Sequence, residues 1–170
     1  MPTGLKQTSS VVAIGFEVNE SAANTFTQGE VDLNLSPLDR EVFVVLAVNI
    51  DPSSPDGLAG LNTQVDCSLT ATRQTAVVSL GNSNCLAVAN QRIRAAGFVD
   101  SGVPFQTRAM ETPTANLDYI GIIATNDFFI QLAGQGNLAA KACSGKLYGY
   151  RAQASADIFA ALVQSEVLSA

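Results

Sequence analysis

The sequence contains no histidine, and this limits the chemistry that its polar residues can perform. Histidine is the usual general base near neutral pH and the commonest ligand of transition metals. A Ser-His-Asp or Cys-His catalytic site therefore cannot be built within this chain. We expect a protein that is not an enzyme and that uses no cofactor or metal ion.

The segment KACSGK is the best remaining candidate for a reactive group, because it places Cys143 and Ser144 between Lys141 and Lys146. A nearby lysine can activate a thiol by lowering its pKa, and successive backbone amides can bind an anion. An ordinary polar loop that leads into a strand has the same composition. We favour the loop interpretation.

Acidic residues offer one candidate cation site. Asp51 and Asp56 flank the segment PSSP, and Asn49 precedes both of them. Calcium takes oxygen ligands, but the spacing matches no recognised calcium-binding loop. We interpret the segment as a turn in which the aspartates cap the backbone.

The three cysteines, Cys67, Cys85 and Cys143, show no metal-ligand spacing. Three is an odd number, and a small secreted chain would normally have a denser disulfide framework. We interpret them as buried thiols. The alternative is one disulfide and one free thiol.

Three arginines form the most suggestive basic group. Arg92 and Arg94 extend from one face of a predicted strand, and Arg108 falls on a neighbouring one. They are candidates for ion pairs with acidic residues or for contact with an anion. The formal net charge is −6 and the pI about 4.4, so we expect no strong direct binding to nucleic acid. We favour ion pairing.

Short apolar or alternating runs, separated by turn residues, indicate the elements that carry these side chains. Strands are predicted at residues 11–18, 25–35, 41–51, 65–72, 75–80, 85–95, 105–112, 119–124, 128–133 and 146–154. Ser155 is the expected N-cap of a short helix that carries Ile158, Phe159, Leu162 and Val163. The pattern predicts one mostly-β domain over residues 1–170, an antiparallel sandwich or barrel.

The run REVFVVLAVNID differs from an ordinary surface strand, because it is apolar on both faces. Val42, Val44, Leu46, Val48 and Ile50 alternate with Phe43, Val45 and Ala47. A strand that faces solvent on one side needs only one apolar face. Either neighbouring copies of the chain cover the second face, or a loop or helix of the same chain does.

The order of the segments resembles that of single jelly-roll major capsid proteins of tailless icosahedral viruses. The resemblance lies in LSPLDREVFVVLAVNID, CLAVANQRIRAAGF, DYIGIIATNDFFIQLAGQGN and KLYGYRAQASADIFAALV. It implies an antiparallel two-sheet β-sandwich, a jelly roll with a short C-terminal helix, in which residues 1–10 are a candidate extended arm. It also implies a structural protein of the virion that self-assembles into an icosahedral shell with copies of itself and with other capsid or spike proteins.

The N-terminal segment departs from the pattern of many small capsid proteins, which carry a basic arm there. The segment MPTGLKQTSS contains a single basic residue, Lys6. If the chain forms a capsid, we expect an internal membrane, a separate basic protein or counter-ions to face the genome.

The capsid interpretation predicts subunit contacts at Phe43, Val45, Tyr148 and Tyr150, and it predicts that Val45→Asp impairs assembly but spares the fold. Low charge fits a surface that is largely covered by protein, since charged residues are 14% against roughly 25% in typical soluble domains. The alternative is an extracellular β-sandwich binding module, such as a lectin, adhesin or pilus-like subunit. That module would bind through PSSPDG or GQGN, with or without calcium.

Overall fold

The computed structural model describes residues 2–97, 103–109 and 117–170, which form two antiparallel sheets and a C-terminal helix. The strands are β1 (Leu5–Gln7), β2 (Val12–Asn19), β3 (Thr27–Asp32), β4 (Glu41–Pro52), β5 (Thr63–Thr70), β6 (Cys85–Arg94), β7 (Val103–Ala109), β8 (Gly121–Ile123), β9 (Asp127–Gln135) and β10 (Ala142–Ala154), and the helix is α1 (Ala156–Leu168). The predicted all-β, two-sheet sandwich with a short C-terminal helix is confirmed.

The strand order is that of a jelly roll. Sheet I has the order β2-β10-β4-β8, with β1 also paired to β10, and sheet II has the order β3-β9-β5-β6-β7. Most consecutive strands therefore change sheet, and each sheet interleaves strands from the two halves of the chain. Eight antiparallel strands connected in this way form the two Greek keys of a jelly roll. Within the candidate arm, Leu5–Gln7 pairs with the end of β10.

Because consecutive strands run in opposite directions, their connections collect at two ends of the sandwich. The first end carries residues 20–26, 53–62 and 136–141, and the second end carries residues 33–40, 71–84 and 124–126. Hydrogen bonds tie neighbouring loops together at both ends. Asn137 N–H donates to Asn24 Oδ1 at the first end, and Leu33 N–H donates to the Asn126 carbonyl at the second.

The central core lies between the two sheets and is built from their inner faces. It includes Phe16, Phe43, Val45, Leu69, Phe128, Ile130, Leu132 and Leu147, among other buried side chains. The rings of Phe16 and Phe128 meet edge to face, with centroids 5.8 Å apart. Gly145 and Gly149 on β10 leave space for two of these rings, because a Cβ atom at either position would overlap Phe16 or Phe43. The missing side chains on β10 thus allow aromatic rings to fill the core.

The main departure from the predicted elements is at residues 75–80, which form part of the loop between β5 and β6 instead of a strand. This loop turns back over sheet II, where the Val78 amide donates to the Ser68 hydroxyl. The strand predicted at 105–112 is Val103–Ala109, and residues 110–112 lie outside the described residues.

Helix α1 begins as predicted after Ser155, whose extended backbone presents its carbonyl to the amide of Phe159. Within the described part of the chain, no helix is both long enough and apolar enough to cross a membrane.

Candidate functional site

The second apolar face of β4 is covered by helix α1 of the same chain. Val42 and Val44 point to the outer face of sheet I, yet both are 0% exposed. They belong to what we call the helix-side cluster, which joins Leu5, Val42, Val44, Tyr150, Ala152 and Ala154 to Ile158, Phe159, Leu162 and Val163 of α1. Of the two explanations that the sequence leaves open, cover by the chain itself is the one observed.

The outer face of β4 changes character where the helix cover ends. The register between β4 and β10 shifts at this point, from Gly149 opposite Val45 to Tyr148 opposite Ala47. Beyond the shift, Asn49 and Asp51 are exposed on the outer face. The strand is therefore apolar on both faces only over the half that the helix covers.

Phe43 and Val45 do not lie on a surface, which corrects their assignment to subunit contacts. They are 1% and 0% exposed, and both belong to the central core between the sheets. The two residues follow the alternation of β4 inwards, whereas the outward positions are Val42 and Val44. A substitution such as Val45→Asp would place a carboxylate among apolar side chains, so it is not a test of assembly.

The two tyrosines of β10 differ in exposure. Tyr150 is 6% exposed and packs in the helix-side cluster, and burial raises the pKa of its hydroxyl, with a smaller contribution from Asp118. Tyr148 is half-buried, beyond the helix cover. Tyr148 is thus the member of the predicted set that a partner could reach most readily, and its role in a contact stays a prediction.

The C-terminal part of the helix is anchored by a buried carboxylate. Glu166 accepts hydrogen bonds from the amides of Ala124 and Thr125, at 2.8 and 2.9 Å, in the connection between β8 and β9. Asn84 Nδ2 donates to the Glu166 carbonyl at 3.4 Å. Burial raises the pKa of the Glu166 carboxyl above its ordinary value, although the amide donors oppose this. The helix is therefore fixed to the second end by polar contacts and to sheet I by apolar ones.

The outer face of sheet II is covered by the β5–β6 loop through a network of polar side chains. Gln131, which is 0% exposed, donates from Nε2 to Thr70 Oγ1 at 2.7 Å and to Gln28 Oε1 at 3.0 Å. Its Oε1 accepts from the hydroxyl of Ser68 at 2.8 Å. The loop is connected to this network by the amides of Gln74 and Val78, which donate to Gln28 and Ser68. Each outer face is thus covered over part of its length, by α1 on sheet I and by the β5–β6 loop on sheet II.

The arginines predicted to act in ion pairs or anion contacts are not brought together at one register position. Arg92 pairs with Asp66 at 3.3 Å, and Arg94 donates to Gln64 Oε1 at 3.5 Å. Arg108 in β7 stands opposite Ala89, whereas Arg92 stands opposite Phe105. The observed contact of Arg92 is an ion pair within the subunit.

A cleft of about 480 Å³ separates the β5–β6 loop from sheet II beside Arg92. Its walls include Asp66, Val78, Leu80, Val88, Asn90 and Arg92. The Nε atom of Arg92 is buried and has no hydrogen-bond partner among the described residues. The cleft thus combines apolar side chains with the charged groups of Asp66 and Arg92.

Lys141 and Asp56 form a clamp at the first end. Lys141 Nζ lies 2.6 Å from Asp56 Oδ1, and Asp56 Oδ2 accepts from the amides of Leu138 and Ala139. The hydrogen bond from Lys141 is the main cause that lowers the pKa of the Asp56 carboxyl. Both carboxylate oxygens are engaged by donors within the chain, so Asp56 is not positioned as a calcium ligand.

The other groups of KACSGK that the structure describes also have structural contacts. Cys143 is buried in the central core, and Glu20 accepts hydrogen bonds from the amides of Lys141 and Gly134 at 2.8 and 2.6 Å. The interpretation as an activated thiol finds no support in this geometry. In the part of the chain that the structure describes, no group of three or more acidic or cysteine side chains is placed to hold a metal ion.

Exposed apolar side chains at the two ends and along one edge form a surface feature that strand periodicity did not reveal. Leu61 and Leu138 lie on adjacent loops of the first end. Leu38, which is 94% exposed, lies at the second end together with Leu80. Val11 and Val12 are exposed at the start of β2, and Val167 and Leu168 at the end of α1. These residues fall in turns and at element ends, so no periodic pattern indicates them.

Neither a protein-family model nor a curated protein matches the sequence. Among solved structures, a chain from Desmodium yellow mottle tymovirus is similar, with 17% identity and a TM-score of 0.30. The alignment covers 92% of this chain and 95% of that one. A TM-score below 0.5 does not establish a shared fold. The assignment of a jelly roll depends instead on the strand pairing within this chain.

Proposed function

We propose that the chain is a structural subunit that associates with copies of itself into a closed icosahedral shell, and that it works as a capsid protein in a virion. The observation that carries this proposal is the distribution of exposed apolar side chains over both ends and one edge of a jelly roll. A subunit of a closed shell must contact neighbours in several directions at once. A module with one ligand site needs only a single apolar patch.

The contacts are expected at the ends of the sandwich and along β2, not on the sheet faces. The outer face of sheet I is covered by α1 over one half and is polar over the other. The outer face of sheet II is covered in part by the β5–β6 loop, which lies against Gln28 and Ser68. At the first end, Leu61 and Leu138 belong to neighbouring loops, since Gly136 lies against the carbonyl of Asn62. Weak contacts of this kind gain strength when many of them close a shell.

The net negative charge of the chain limits what can lie against the inner surface of such a shell. A net charge of −6 opposes direct contact with a packaged genome. We therefore propose that an internal membrane, a separate basic protein or counter-ions lie inside the shell, and that other capsid or spike proteins complete it.

Electron microscopy of the purified chain tests this proposal. We expect closed particles of uniform size that separate from free subunits on size-exclusion chromatography. A monodisperse 17.7 kDa monomer that persists at high concentration and across salt conditions would contradict the proposal.

The cleft beside Arg92 favours a second candidate, an extracellular β-sandwich binding module such as a lectin, adhesin or pilus-like subunit. Its volume lies within the range of roughly 300–1,000 Å³ that is typical of small-molecule sites, and the side chain of Arg92, which is 40% exposed, lines it. A monomer that binds a glycan on an array and loses that binding in Arg92→Met would support this candidate. Because Asp56 is already engaged, binding should survive chelation of calcium.

A further inference from the structure

Two of the three cysteines face each other across the sandwich. Cys67 lies in β5 of sheet II and Cys143 in β10 of sheet I, so the two residues are 76 positions apart in sequence and in different sheets. Both point into the central core and are 0% and 1% exposed. Cys85, the third, is half-buried at the start of β6, where its thiol donates to the Ala87 carbonyl.

Cys67 and Cys143 also lie at the same level along the sandwich. Gln91 stands opposite Val65, two residues from Cys67, and its Nε2 donates across the sheets to the Pro52 carbonyl at 2.9 Å. Pro52 in turn stands opposite Cys143. The neighbouring Cys143 thiol, together with burial, raises the pKa of the Cys67 thiol. Both side chains belong to the same buried cluster, so the two thiols are neighbours inside the core.

We propose that Cys67 and Cys143 form an oxidative modification site, a disulfide that joins sheet I to sheet II. Each thiol loses one proton and one electron, and one S–S bond forms. A disulfide oxidant such as oxidised glutathione accepts the two electrons and the protons and is reduced to two thiols. Cys85 remains a free thiol. This inference is independent of the proposed role in a shell.

Burial determines when the bond can form. A buried thiol whose pKa is raised carries little thiolate, and the thiolate is the species that exchanges with a disulfide. Oxidation is therefore expected while the sheets are closing during folding, and it should be slow once the sandwich is complete. The bond closes a loop of roughly 75 residues in the unfolded chain, which restricts the unfolded state strongly.

Refolding from denaturant in a glutathione redox buffer tests the proposal on the complete chain. After alkylation, peptide mapping by mass spectrometry should find the peptide of Cys67 linked to that of Cys143, and one free thiol per chain at Cys85. The oxidised protein should melt on the order of 10 °C above the reduced one. Three free thiols after refolding in oxidised glutathione, or a main product that includes Cys85, would overturn the proposal.

Matched single variants assign the bridge. Cys85→Ala should keep both the linked peptide and the shift in Tm between oxidising and reducing conditions. Cys67→Ala and Cys143→Ala should each lose both. Peptide mapping of the wild-type chain decides the matter even where a core variant does not fold. A shift in Tm that persists in Cys67→Ala would contradict the assignment.

Discussion

Each outer face of the sandwich is covered in part by the chain itself, but by different means. On sheet I, apolar side chains of α1 pack on Val42, Val44 and Ala152. On sheet II, the β5–β6 loop is held by hydrogen bonds from the amides of Gln74 and Val78 to Gln28 and Ser68, which Gln131 links in turn. One cover depends on apolar area removed from water, and the other depends on the satisfaction of buried polar groups.

The difference teaches how far strand patterns identify a partner. An apolar outer face shows that something covers the strand, but it does not distinguish a helix of the same chain from a second subunit. A polar outer face gives no sign of a cover at all, because Ser68, Thr70 and Gln131 read as solvent-facing residues. The proposed contacts with other copies are therefore placed at the ends of the sandwich and not on the sheet faces.

The largest expected difference in stability is between a substitution on the inner face of β4 and one on the uncovered half of its outer face. Val45→Asp should leave the chain unfolded at 25 °C, because an unpaired carboxylate in the core costs more than about 4 kcal/mol. Ala47→Asp, on the partly exposed outer face, should change the free energy of unfolding by less than about 0.5 kcal/mol. Circular dichroism during urea titration measures both. A folded Val45→Asp would contradict the placement of Val45 in the core.

The apolar cover of sheet I can be weakened at Phe159. Phe159→Ala should lower the free energy of unfolding by about 2–3 kcal/mol, because it removes a ring from the helix-side cluster. Gln164→Ala, at an exposed position of the same helix, serves as the control and should have almost no effect. If the two variants were equally stable in urea, the helix would not be the cover described here.

The polar cover of sheet II can be weakened at Gln131. Gln131→Ala should cost about 1–3 kcal/mol, since Ser68 and Thr70 lose a buried partner. Gln135→Ala at the exposed end of the same strand is the matched control. Limited proteolysis should also cut the β5–β6 loop faster in Gln131→Ala. Equal rates of cleavage in the two variants would show that the network of Gln131 does not hold the β5–β6 loop.

The smallest expected effect concerns pH and the anchor of α1. The raised pKa of Glu166 means that the folded chain holds this proton more tightly than the unfolded chain does. The resulting stability is fully present below the ordinary pKa of 4.5 and is lost as pH rises through the raised value. The Tm of the wild type relative to Glu166→Gln should therefore fall between about pH 4 and pH 7. A difference in Tm that is constant or rises over this range would contradict the buried anchor.

The sequence predicted the elements that depend on periodicity and missed those that depend on long-range contacts. The helix after Ser155, the strand β4 and residues 146–154 of β10 follow directly from local pattern. Residues 142–145, which were predicted as a loop, are the first part of β10. Residues 75–80 have the composition of a strand, but they lie in a loop that is held by hydrogen bonds from Val78 to Ser68 and from the preceding Gln74 to Gln28. The direction of Phe43 and Val45 was missed because both faces of β4 are apolar, and local pattern cannot tell which one faces the other sheet.

The candidate surface was even less accessible to sequence reasoning. Leu61 and Leu138 are 77 positions apart in sequence, and they lie at the same end only because the jelly roll brings their loops there. Lys141 and Asp56 are brought together in the same way. Neither pair can be predicted from local sequence, because the strand order determines which loops lie at the same end.

Sedimentation velocity of one variant pair tests most directly whether the ends of the sandwich, and not its faces, carry association. Leu61→Ser combined with Leu138→Ser changes the first end, and Ala47→Ser combined with Lys146→Ser changes the bare half of sheet I. We predict that the face variant sediments as large particles, as the wild type does, and that the end variant sediments as folded monomer. Particles from the end variant together with monomers from the face variant would contradict the account.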